Sequence, residues 1–436
     1  MSGLNYVTFN QDHSLLAVAT TRGLRVYTTD PFELTNHSYE EDISLVEQLF
    51  STSLVAMTLT PRHLRIVNTK RTQRHSTICE LTFHGMVVAV KMNRKRLVVL
   101  LEEIAFIYDI SNMKMLLQHP TPLNPAGICA ISPSSENNYL AIPHYQRTGH
   151  NTNAPPAHVP NSAAARESVS GDVLLYDLGR EEEVTVIQAH QSPLSYIALN
   201  NDGTLMATAS EKGTVIRVFS IPSGKKLYQF RRGSMPARIF CISFNATSTL
   251  LCVSSATETV HIFKLAPPGS NPNNGNTPRP ISPPSSPRHS SFSSSRQRSE
   301  SPIQSEIESS EQNLDGDPSA LASAPQPRQA GFMSLVRRTS QNVGTTIVSR
   351  AAGYLPSSVT EMWEPQRDFA WVRVPRGANG QPVRCVVAMA NSVPHVMVAT
   401  SEGDFYVYMV DLEKGGEGTL VKRFEYVEPS DTVSGS

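Results

Sequence analysis

The chain has 436 residues, and its 38 Lys+Arg balance 38 Asp+Glu to a formal net charge of zero. That balance excludes a globally basic nucleic-acid binder and a protein dominated by an acidic tail. The length suits one large repeat architecture or about two to four average domains. With 31 prolines and 39% apolar residues, part of the chain is expected to stay unstructured.

The chain begins Met1-Ser2-Gly3-Leu4-Asn5, without the basic and apolar regions of a signal peptide. No run approaches the roughly 20 apolar residues of a spanning helix. The first predicted unit is an apolar run, Leu16-Ala17-Val18-Ala19-Thr20, a small-residue turn, and the alternating Leu24-Arg25-Val26-Tyr27. Weaker copies end at Val67, Tyr108 and Tyr176. Clear copies follow at Met206–Ser210 with Thr214–Phe219, at Cys252–Ser255 with Val260–Phe263, and at Val396–Thr400 with Phe405–Tyr408.

Two stretches interrupt the series. Residues 146–170 contain Asn151-Thr152-Asn153-Ala154-Pro155-Pro156, and the stretch after Leu265 is rich in Ser, Pro and Asn to about Gln329. Both are expected to be disordered, because they hold too little apolar surface to offset chain entropy. Without these insertions the copies recur about every 40–45 residues, the period of a four-stranded propeller blade. The expected fold is therefore all-β, a single seven-bladed β-propeller over 1–436. Residues 146–170 are an insertion in blade four. Residues 266–353 form a long loop between the third and fourth strands of blade six, whose fourth strand is expected at Phe369–Val374. A pair of β-sandwiches would leave the constant period unexplained.

No GxSxG elbow, phosphate-binding GxxxxGK[ST], HExxH or GxGxxG is present, so catalysis is not expected. The five cysteines, Cys79, Cys129, Cys241, Cys252 and Cys385, form no CxxC pair, which fits a reduced compartment and no metal site. The feature that stands out is Ser210–Gly233, where Lys212, Arg217, Lys225, Lys226, Arg231 and Arg232 face the single acid Glu211. On a strand Arg231 and Arg232 would point into two different grooves, and guanidinium is the preferred bidentate partner of phosphate. The same residues would also make a solvated basic edge strand that blocks aggregation.

Phe230-Arg231-Arg232-Gly233 within such a repeat, with Ala209–Ser220 before it and Ser254–Phe263 after it, resembles the PROPPIN family of autophagy-related phosphoinositide-binding propellers. The likeness extends to Asn5–Gln11, Leu49–Ala56 and Tyr354–Val359, and Gly233-Ser234-Met235-Pro236 is most similar to the fungal autophagy member. The resemblance implies two headgroup sites for phosphatidylinositol 3-phosphate and phosphatidylinositol 3,5-bisphosphate. One would use His190, Thr208, Ser210, Gly213, Thr214, Arg217 and Arg231, and the other Arg232, Ser255, Thr259 and His261. Protonation of the two histidines would strengthen lipid binding as pH falls toward 6.

The resemblance also implies a membrane-inserting segment, Phe332, Met333, Leu335 and Val336, and a partner loop at Pro61 and Arg62 that holds an autophagy lipid-transfer protein. Tyr354 and its neighbours could instead simply rejoin the propeller, and Pro with Arg is also ordinary hairpin chemistry. Ser282, Ser286, Ser301 and Ser340 are candidate phosphorylation points that would repel an anionic bilayer. The implied protein is a cofactor-free cytoplasmic scaffold, peripheral on preautophagosomal, vacuolar and endosomal membranes. A general protein-interaction propeller without lipid specificity is the alternative.

Overall fold

The computed structural model describes residues 3–38, 41–70, 76–145, 169–265 and 365–427. These form seven antiparallel sheets of consecutive strands, the blades of a β-propeller. Blade one is β1–β4 (Leu4–Ser38), blade two β5–β8 (Leu45–Thr82) and blade three β9–β12 (Ala89–Pro120). Blade four is β13–β16 (Ala130–Gln188), blade five β17–β20 (Leu194–Arg231) and blade six β21–β24 (Ile239–Arg373). Blade seven is β25 (Cys385–Met389), β26 (His395–Thr400), β27 (Asp404–Met409) and β29 (Thr419–Glu425). The innermost strands touch in series around the circle, and β25 against β1 closes it.

The sequence landmarks fall where alternation places them. Tyr27, Val67, Tyr108, Tyr176, Phe219, Phe263 and Tyr408 all lie in the third strand of their blades. Second strands such as β2 (Leu15–Thr20) and β22 (Leu250–Ser255) are buried on both faces, so they read as continuous apolar runs of small and β-branched residues. The core consists of apolar layers between neighbouring blades: one joins blades five and six through Phe230 and Phe263, whose rings stack at 4.7 Å.

A recurrent asparagine closes the first hairpin of four blades. Asn10, Asn93, Asn200 and Asn245 each accept, through the side-chain oxygen, the backbone N–H at the start of the second strand. Each follows an apolar residue (Phe9, Met92, Leu199, Phe244), a repeat that the third-strand landmarks do not reveal.

Both insertions separate adjacent strands of one blade. β14 (Tyr139–Tyr145) pairs with β15 (Val169–Asp177), so the strand takes in Val169 and Ser170 from the end of the stretch expected to be an insertion. β23 (Thr259–Lys264) pairs with β24 (Ala370–Arg373) across the long insertion. Residues 146–168 and 266–364, including Phe332, Met333, Leu335, Val336 and Tyr354–Val359, lie outside the described residues.

The chain that returns at Pro365 first touches blade five. Gln366 N–H donates to Gln229 O at 3.0 Å, and Gln366 O accepts from Arg231 N–H at 2.8 Å. It then crosses to become β24, whose outer edge pairs in parallel with the short β28 (Gly416–Glu417) of the last blade's connection. Two outer edges that would otherwise offer unpaired backbone groups are thus partly covered.

Candidate functional site: two grooves flanking blade five

Alternation along β20 (Lys225–Arg231) separates the two arginines. Phe230 faces the apolar layer shared with blade six, and Arg232, two residues on, takes that side. Gln229 and Arg231 take the opposite side, toward blade four. On β23, Phe263 packs toward blade five while Val260 and Ile262 pack toward blade seven, so Thr259 and His261 face blade five. Ser255 shares the face of Leu251 and Val253, also toward blade five.

The groove between blades four and five is a polar cluster over a cavity of about 720 Å³ lined by His190, Arg217, Lys226 and Asp172 among others. Arg217 Nη1 donates to His190 Nδ1 at 3.0 Å and to Ala189 O at 2.7 Å, while its Nε donates to Gln229 Oε1 at 3.1 Å. His190 Nε2 lies 3.0 Å from Thr208 Oγ1. Thr208 and Ser210 are buried, and Arg231 stands exposed at the strand end, outside the cavity lining. Burial, followed by the neighbouring Arg217 charge, lowers the pKa of His190 to about 4. The expectation of a protonated His190 beside phosphate is therefore corrected: both ring nitrogens are engaged by the protein, and the ring is neutral at pH 6. It positions Arg217 and Thr208.

The groove between blades five and six is arranged differently. Arg232 is only 6% exposed, with Nε donating to Gly213 O at 2.8 Å and Nη2 donating to Met235 O at 2.5 Å. Burial lowers its pKa from the ordinary guanidinium value, but a guanidinium remains charged in any physiological range. Of its five N–H groups three remain for an anion. Ser255 Oγ lies 3.0 Å from Thr257 Oγ1, and His261 Nδ1 lies 2.8 Å from Asp368 Oδ2. Asp368 belongs to the segment returning from the long insertion, and sequence inspection did not single it out.

Gly213 joins the two grooves. Its φ of +57° suits glycine, and a Cβ there would lie 1.9 Å from Ala237 O. Its neighbour Thr214 accepts the Arg232 N–H at 2.9 Å through its carbonyl. The turn expected to serve the Arg231 groove thus also anchors Arg232.

At the opposite part of the ring, Pro61 and Arg62 form the exposed turn between β6 (Leu54–Thr60) and β7 (His63–Asn68). Arg62 Nε donates to Phe83 O at 2.9 Å, and Pro61 O accepts from Val87 N–H at 2.7 Å. This turn holds the connection to blade three. In the first hairpin of blade three, Arg96 reaches Leu178 O of blade four at 3.1 Å, and Arg94 lies over the Phe50 ring at 4.2 Å. Among the described residues no cluster of metal-ligating side chains occurs, and no helix is long and apolar enough to cross a membrane. All five cysteines are free thiols; burial raises Cys129 to about 11 and Cys385 to about 12.

Fold and grooves together define a seven-bladed propeller with paired basic grooves on either side of one blade. The chain belongs to the PROPPIN family, whose model matches residues 3–153, 157–279 and 338–427. It is 57% identical over 424 residues to autophagy-related protein 18 of Phaeosphaeria nodorum, covering 97% of this chain and 100% of the relative. It is 51% identical to autophagy-related protein 18 of Neosartorya fischeri, covering 99% and 98%. Among solved structures, KlAtg21 in complex with the coiled coil of AgAtg16 matches with a TM-score of 0.62 at 26% identity, covering 98% of this chain and 100% of that one. Kluyveromyces lactis Hsv2 with its complete loop 6CD shares the fold, at a TM-score of 0.63 and 15% identity over 98% of this chain and 100% of that one.

Proposed function

We propose that this protein is a non-enzymatic scaffold that reads phosphoinositides on autophagic membrane and brings other autophagy components to it. The observation that carries the reading is the division of two consecutive arginines, Arg231 and Arg232, between two grooves that also contain hydroxyl and imidazole side chains. Phosphatidylinositol 3-phosphate and phosphatidylinositol 3,5-bisphosphate are the proposed ligands. Arg231 and Arg217 supply charge in one groove, with Thr208, Ser210, Thr214 and the Gly213 backbone around them and His190 holding Arg217 in place. Arg232, Ser255, Thr259 and His261 serve the other.

Family membership and its autophagy-related relatives support the autophagy assignment. The segment Phe332–Val336 is proposed to add membrane contact, and Pro61–Arg62 to hold a lipid-transfer protein, with vacuolar and endosomal membranes as further sites of action. Two moderate headgroup contacts on one rigid body multiply through effective concentration. The test is flotation with vesicles that contain or lack the 3-phosphorylated lipid, using wild type and the Arg231→Thr/Arg232→Thr double variant. Binding that requires the lipid and disappears in the folded double variant supports the reading; normal binding by that variant overturns it.

A further inference from the structure

The connection from blade five to blade six, Gly233–Arg238, carries Met235 at its tip. Met235 is 74% exposed, more than any other large apolar side chain among the described residues. Ser234 and Pro236 on either side are exposed too. A scattered apolar residue on a surface is ordinary, but this one is held in place. Its carbonyl accepts Arg232 Nη2, Ala237 N–H donates to Lys212 O at 3.2 Å, and Arg238 O accepts from Ala256 N–H at 2.8 Å. The loop is thereby tied to the neighbouring turns of blades five and six. Exposed Lys212, Arg238 and Arg231 stand on these elements, with Glu211 as the acid beside Lys212.

We propose that Met235 is a second membrane-contacting element, an apolar tip that enters the interfacial layer of the bilayer whose headgroups occupy the flanking grooves. The inference rests on the phosphoinositide reading above. An apolar tip within a cationic collar is the pattern of an interfacial anchor. A thioether side chain is unbranched and adapts to the disordered boundary of lipid. Arg232 gives the arrangement its logic. The guanidinium that would take a phosphate also fixes the loop backbone, so headgroup capture and tip placement share one side chain. Because the loop is fixed before it meets the bilayer, little ordering entropy is lost on contact.

The experiment compares Met235→Asp and Met235→Leu with wild type, on phosphatidylcholine vesicles containing phosphatidylinositol 3-phosphate and on soluble inositol 1,3-bisphosphate by calorimetry. Met235→Asp should weaken vesicle binding by about tenfold, in line with exclusion of one partly buried apolar side chain, and lower soluble headgroup affinity by no more than about twofold, through its exposed, screened charge. Met235→Leu should bind vesicles within about twofold of wild type. Unchanged vesicle binding by Met235→Asp overturns the proposal, and so does an equal loss toward the soluble headgroup, which would make the loop part of the groove. Wild type that binds vesicles equally without the 3-phosphate would instead sink the phosphoinositide reading, while a Met235→Asp defect on those vesicles would still support the tip.

Discussion

Arg217 Nη1 lies 3.0 Å from His190 Nδ1 and fixes the imidazole as neutral. A guanidinium has no acceptor, so Nδ1 must accept and the ring proton sits on Nε2, directed at Thr208 Oγ1. Protonation would set two cations in contact in a buried place, and the folded pKa falls from the ordinary 6.5 to about 4, chiefly through burial. The sign follows. A depressed histidine contributes stability that is complete above about pH 6.5 and is lost as pH falls through about 4.

His190→Gln should therefore flatten the acid side of the stability profile, with the difference from wild type changing by at most about 3 kcal/mol between pH 7 and pH 4. His13 and His119 are lowered by burial as well, so the variant difference, rather than the wild-type slope, is the measurement. Urea midpoints that fall in parallel for both proteins would show that His190 plays no such part.

The two arginines should differ in stability although they are neighbours in sequence. Arg231 is exposed, and Arg231→Thr should change unfolding free energy by no more than about 0.5 kcal/mol. Arg232→Thr strips a donor from the Gly213 and Met235 carbonyls and should cost about 1–3 kcal/mol. Vesicle binding should weaken in both single variants, and in the double variant by on the order of a hundredfold or more, because avidity is lost. Equal denaturation midpoints for the two singles would contradict the burial of Arg232.

Much of the ring was legible because β-branched and aromatic alternation marks the third strand of each blade, from Tyr27 to Tyr408. The separation of Arg231 from Arg232 was legible too, since a period of two needs no tertiary information. What escaped depends on distant contacts. Gln366 and Asp368 lie more than 100 residues from the groove residues they touch, and neither belongs to a strand-like run. The neutrality of His190 required knowing that Arg217 points at it from the next blade. The burial of Arg232 required the position of the Gly213 turn.

Asp368 should oppose anion binding in the groove it helps to build. Its carboxylate accepts the Nδ1–H of His261 at 2.8 Å, and the neutral tautomer this selects has a bare Nε2 that cannot donate to a phosphate oxygen. It also places a negative charge at that edge of the groove. Asp368→Asn removes the charge and lets an amide donate to Nδ1, so that Nε2 carries the proton. Soluble headgroup affinity at neutral pH should rise by several-fold, and His261→Ala should abolish the gain. A lower affinity in Asp368→Asn would mean that the carboxylate is needed to hold His261 in place.

The ring is closed by side chains, since blade one is made only of N-terminal strands and blade seven only of C-terminal ones. No strand is exchanged across the seam, so apolar packing and a few hydrogen bonds must hold it. Phe32 is central: its ring stacks on Phe405 at 4.3 Å, on Phe424 at 5.0 Å and on Tyr27 at 5.0 Å. Tyr27 Oη donates to Tyr426 O at 2.9 Å, and Asn391 Nδ2 donates to Asp12 O at 2.8 Å. Because Phe32 is only half-buried, Phe32→Ala should cost about 2–4 kcal/mol, toward the lower end of the range for an aromatic truncation. Opening at a seam should unfold the whole ring, because each blade buries its faces against two neighbours. The loss should therefore appear as a lower midpoint with a single transition, followed by the near-ultraviolet signal of Trp371 in blade six. A Phe32→Ala protein that keeps the wild-type midpoint, or melts in two steps with blade six last, would show that the seam does not govern closure.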